Sequence, residues 1–160
     1  MSTLGIIHTL IGIVAVIAGI IALIRDRRIT AKNLTGQVYI HSTVLTCLTG
    51  FGIFHLGGFG APHVLGIITL LVLGAAALAE HKKSFGAKSP YIEVIGYTTT
   101  LFFHFIPGIT ETFTRIPFGA PLFASRESPA LAGTIGVIFV IFLVIMVAQV
   151  RALRRNQRSL

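Results

Sequence analysis

Charge is scarce in this chain. Only 11% of its 160 residues are Asp, Glu, Lys or Arg, while 54% are hydrophobic and the mean hydropathy is +0.87. A soluble domain this small cannot hide so much apolar surface, because it still needs a polar exterior. Lipid is the solvent that removes the difficulty. Cysteine is nearly absent too. The single Cys47 lies inside an apolar run, so no intrachain disulfide can form and the redox compartment cannot be read from cysteines. Also missing are a nucleophile–base motif, a phosphate-binding glycine loop and an HExxH signature, which leaves no basis for assigning an enzyme. With no internal repeat, low-complexity tract or soluble domain, residues 1–160 read as one domain.

Acidic residues are few, five against thirteen basic ones, giving a net charge of +8. That excess does not point to nucleic acid. The basic residues sit in short clusters between apolar runs, where flanking charge sets membrane topology. Five apolar runs emerge, at residues 4–24, 36–56, 61–79, 91–112 and 130–150, each near the ~20 residues that span a hydrocarbon core of ~30 Å. The expected fold is therefore an all-α bundle of five transmembrane helices. The first run has no positive residue before it and RDRR after it, so it reads as an uncleaved helix, not a signal peptide. The first and third connections and the tail hold eleven Lys or Arg, whereas the second and fourth connections hold only Arg115 and Arg126. That bias places the N-terminus outside and the C-terminus in the cytoplasm, in a plasma or bacterial inner membrane. Pro107 and Gly108 interrupt the fourth run, and the proline should kink that helix.

Polar residues inside spans are costly and usually face the bundle interior, so their positions carry the functional signal. His8, Gly12, Ala15, Gly19 and Ala22 share one helical face, and small residues of this kind let helices approach closely. Gly133 and Gly136 suggest a similar close approach by the fifth helix. The second run carries His41 and His55. The third opens with Pro62–His63 and ends with His81, which reads as solvated within EHKK. The fourth carries Glu93, Tyr97, Thr100, His104, Gly108, Glu111 and Arg115 at steps of three and four, a polar seam in which Glu111 and Arg115 can pair. Read simply, the seam is a hydrogen-bonded lock for the bundle. Read with the topology, His8, His55, His63 and His104 gather in the outer half. Imidazole ligates iron, zinc and copper, and it titrates near neutral pH.

The stretch HTLIGIVAVIAGIIALI, followed by GQVYIHSTVLTCLTGFGIFHLGGFGAPHVLGIITLLVL, resembles a family of small bacterial predicted membrane proteins with no assigned activity. The resemblance covers roughly the first 85 residues and marks His8, Gly36, Tyr39 and His63; residues 93–115 inherit nothing from it. Its helix and histidine layout is similar to that of two-haem membrane cytochromes of the cytochrome b561 type, an analogy at fold level. Three functions follow as expectations. One is a b-type cytochrome that holds haem b between His8 and His63, with His55 and His104 as further candidate ligands. Another is a non-redox accessory subunit that associates laterally with a membrane-protein partner or with copies of itself. The third is a transporter, channel or metal-handling protein using the outer histidines and the polar seam as a site or proton path.

Overall fold

The computed structural model describes residues 2–54, 58–116 and 119–158. The chain forms five α-helices, α1 (Thr3–Asp26), α2 (Leu34–Gly50), α3 (Ala61–Lys82), α4 (Ser89–Phe113) and α5 (Pro129–Arg158), and no strand among the described residues. Local chemistry sets the ends. The Ser2 hydroxyl accepts from Gly5 N at 3.1 Å to open α1, and the Asn33 side-chain carbonyl accepts from Gly36 N at 2.9 Å to open α2. Each satisfies one of the amide donors that a helix start leaves unpaired. Arg27 and Lys83 close α1 and α3 in the left-handed conformation, at φ 60° and 47°, the usual way to turn a chain out of a helix.

Among the described residues, helices α1, α2, α3 and α4 pack as a ring in which α1 and α3 are not neighbours, and α4 is the one helix beside α5. The core joins Ala15, Ala18 and Ala22 of α1 to Tyr39 of α2, Leu73 and Ala76 of α3, and Tyr97 and Leu101 of α4. The small-residue face of α1 is therefore used as the sequence implies. A Cβ on Gly19 would sit 2.7 Å from Leu101 Cδ1, a separation that packed atoms do not tolerate. Polarity is turned inside out. Thr43, Thr98, Thr100, Glu80, Glu93 and His104 are buried, while large aliphatic side chains along α1, α3 and α5 face outward. Such a surface suits lipid and not water.

Four helices are long and apolar enough to cross a membrane: α1, α3, α4 with the short 3₁₀ turn before it, and α5. The second of the five expected spans, 36–56, is shorter than its apolar run. Helix α2 ends at Gly50 and has 17 residues, about 26 Å at 1.5 Å per residue. The chain then turns through Gly52 N→Thr49 O and Ile53 N→Gly50 O, with two glycines weakening helix continuation. By contrast, α4 runs unbroken through Pro107. Thr110 donates to the Ile106 carbonyl at 2.7 Å beside the proline, the kind of side-chain support that lets apolar helices carry one. The expected close approach at Gly133 and Gly136 is absent, since a Cβ on either would meet nothing within 4 Å.

Candidate functional site

Threonines organise the interior. Each of Thr43, Thr49 and Thr100 turns its hydroxyl proton back onto a carbonyl of its own helix, Thr43 to Tyr39 O at 2.8 Å, Thr49 to Leu45 O at 2.8 Å and Thr100 to Tyr97 O at 2.9 Å. A hydroxyl has one proton and two lone pairs, so each Oγ1 is left as an acceptor facing a neighbouring helix. His104 donates from Nε2 to Thr43 Oγ1 at 3.0 Å, Tyr39 donates its phenol to Thr100 Oγ1 at 2.7 Å, and His8 donates from Nδ1 to Thr49 Oγ1 at 3.1 Å. These three bonds tie α4 to α2 twice and α1 to α2 once. His8 also lies within electrostatic reach of His104, so the polar groups step upward through the bundle.

At the end carrying most of the basic residues, Glu80 of α3 is 8% exposed. It accepts from the Thr30 hydroxyl, from Ala31 N at 3.0 Å on both oxygens, and from the Tyr97 hydroxyl at 2.9 Å. One carboxylate thus fixes the α1–α2 connection and a buried phenol together, as anionic acceptors do well. Glu93, one turn from Tyr97 on the same face of α4, is 9% exposed. It makes no hydrogen bond among the described residues, although Glu80, Arg28, Lys32 and His81 lie within electrostatic reach. Between α2 and α3 a cavity of about 350 Å³ opens, lined by Gln37, His41, Ala77, His81, Ala31 and the Tyr97 side chain. His41 donates from Nδ1 to the Gln37 carbonyl at 2.7 Å, which leaves its Nε2 lone pair available.

The seam of α4 is used over half its length. Glu93, Tyr97, Thr100 and His104 face inward, whereas Glu111 and Arg115 are 43% and 49% exposed in their side chains. Those two do pair at 2.6 Å, and Arg126 joins the same carboxylate at 2.6 Å, so the triad staples the α4–α5 connection to the end of α4. Two buried residues carry no weight in the sequence reading. Glu80 is hidden in an EHKK stretch that looks solvated, although Thr69, Leu73, Ala76 and Glu80 follow the spacing of one buried face. Gln149 of α5 is the other; it accepts from Thr98 at 2.9 Å and donates to Arg27 O at 3.0 Å.

The histidines do not assemble as the haem expectation requires. His63 is 6% exposed and stacked between Phe54 and Phe59, with ring centroids 5.1 and 5.2 Å away. Gly60 N–H donates to its Nδ1 at 3.2 Å, so the neutral ring holds its proton on Nε2, a buried atom with no partner. Iron needs a lone pair there, not a proton. His104 has the same tautomer, with Nε2–H turned to Thr43. Among the described residues, His8 alone presents a free Nε2 lone pair at this end, and the end of α2 separates it from His63, with Gly50 against His8 and Phe51 against Gly66 of α3. These residues do not fit a bis-histidine haem. His55 lies outside the described residues. Among the described residues, no three His, Cys, Asp or Glu side chains converge to hold a metal ion. No protein-family model, no curated protein and no solved structure matches this chain.

Proposed function

We propose that the protein is a small multi-pass membrane protein of the transporter or channel class that handles protons. They enter at the basic-end cavity and pass along the polar column toward His104. The observation that carries this reading is the placement of Glu93, a residue only 9% exposed whose carboxylate has no hydrogen bond among the described residues, one turn from the phenol that lines the cavity and binds Glu80. Ionisable side chains in apolar spans are costly to keep and mark proton relays and substrate pathways. Two imidazoles, His41 and His81, line the cavity with Tyr97, and His81 also lies within electrostatic reach of Glu93. Beyond Tyr97 the column narrows to side chains in direct contact, Tyr39 on Thr100 and His104 on Thr43. Each threonine proton points to a carbonyl of its own helix, away from the phenol or imidazole that donates to its oxygen. Hydroxyl rotation must therefore precede any transfer, so the wire is closed at rest.

The test is proton flux in liposomes loaded with a pH-sensitive dye and driven by a potassium–valinomycin potential. Wild-type protein should acidify or alkalinise the lumen several-fold faster than protein-free vesicles, and Glu93→Gln should remove most of the excess. Wild-type flux equal to that of empty vesicles would overturn the proposal and leave the column a structural lock.

A further inference from the structure

Helix α5 has two opposite faces with different tasks. Leu131, Phe142 and Gln149 are buried at 1%, 5% and 7% exposure and hold it to α4. Its basic end is clamped further by Tyr91, whose hydroxyl donates to Gln157 at 2.8 Å. Half a turn around the helix, Val140, Val144, Val147 and Ala148 form an apolar stripe that runs into Arg151 and Arg155, a shallow groove of about 550 Å³. Among the described residues no other helix covers it, and Val140 and Val144 are 57% and 63% exposed. Helix α5 has 30 residues, about 45 Å at 1.5 Å per residue, which exceeds a hydrocarbon core of ~30 Å. Its last turns, where the arginines sit, then reach headgroup level. Among the described residues no carboxylate lies within ion-pair distance of Arg151, Arg154 or Arg155.

We propose that this stripe is a binding site for an anionic phospholipid, with an acyl chain along Val140–Val144–Val147–Ala148 and the phosphate between the Arg151 and Arg155 guanidiniums. Two guanidiniums four residues apart on one helical face suit the oxygens of one phosphodiester. Charge decides against the other natural occupant. A second copy of this chain, inserted in the same orientation, would bring its own Arg151 and Arg155 to the seam, and the stripe offers no acidic residue to meet them.

Native mass spectrometry of the full chain in mild detergent tests the assignment. Phosphatidylglycerol or phosphatidylcholine is added, and two variants that each remove two positive charges are compared after far-UV circular dichroism confirms wild-type helicity. Wild type should retain phosphatidylglycerol in preference to phosphatidylcholine. Arg151→Gln/Arg155→Gln should lower retention roughly thirty-fold, given about 1 kcal/mol of headgroup attraction per basic residue. Lys82→Gln/Lys88→Gln, at the same end of the molecule, should leave retention near wild type. Equal loss in both variants would mean diffuse charge attraction and overturn the site. So would equal retention of phosphatidylcholine, or a protein dimer that excludes lipid from the arginine face.

Discussion

Replacing Thr43 with valine separates the threonine-acceptor arrangement from simple packing. Valine keeps the branched shape of a side chain that is 0% exposed, and it removes the oxygen that receives His104 Nε2–H at 3.0 Å. The imidazole is 9% exposed, so its N–H has little access to water once stranded. An unsatisfied buried donor costs about 1–3 kcal/mol, while interhelical hydrogen bonds within membranes average ~0.6 and reach ~1.7 kcal/mol. The expected loss for Thr43→Val is therefore about 1–1.5 kcal/mol. Thr46→Val is the matched control, because its hydroxyl only bonds back to Ser42 O at 2.8 Å and receives nothing from another helix; it should cost under ~0.5 kcal/mol. Unfolding in mixed micelles titrated with dodecyl sulfate, followed by far-UV circular dichroism, gives both numbers. A double-mutant cycle with His104→Leu should return about 1 kcal/mol of coupling. Strict additivity in that cycle, or equal effects of Thr43→Val and Thr46→Val, would refute the reasoning.

Gly96→Ala should destabilise by about 1–3 kcal/mol in the same titration, because its Cβ would lie 2.9 Å from the Ala76 methyl and 3.4 Å from Val72 O, neither of which can swing aside. Gly133→Ala and Gly136→Ala face open space, so each should be neutral or stabilise by up to ~1 kcal/mol through helix propensity. Glu80→Gln keeps one carbonyl acceptor and loses the other, which should loosen the hold on Ala31 N and speed hydrogen exchange at that amide by about tenfold. Protein expressed with ample haem and purified in mild detergent should show no Soret band. A Soret band with sharp reduced α and β bands that vanishes in His8→Ala would contradict the tautomer argument made for His63 and His104.

The parts of the fold legible in the sequence are those set by periodicity and by solvent. Long apolar runs gave α1, α3, α4 and α5, and the spacing of Ala15, Gly19 and Ala22 marked a face that does pack against Leu101 and Tyr39. What periodicity cannot supply is the identity of the neighbour. Gly133 and Gly136 look like an interface, yet α5 docks through Phe142 and Gln149, and the glycines meet nothing. The end of α2 was hidden because the apolar run continues past Gly50 in a different backbone conformation. The inward half of the α4 seam was visible, but its acceptors were not. Thr43 and Thr49 are unremarkable in an apolar helix until their hydroxyl protons are traced to their own carbonyls. Glu80 was masked by the charges after it, since composition alone assigns EHKK to solvent.

The proton-wire reading requires a cavity open at the basic end and a column sealed to water above it, which one-sided thiol labelling measures directly. In a Cys47→Ala background, Gln37→Cys lines the cavity and Thr100→Cys sits in the column, where the native side chain is 0% exposed. A membrane-impermeant maleimide applied to oriented vesicles should label Gln37→Cys from the basic side alone and leave Thr100→Cys unlabelled from either side. Labelling of Thr100→Cys, or no labelling of Gln37→Cys from the basic side, would contradict the account.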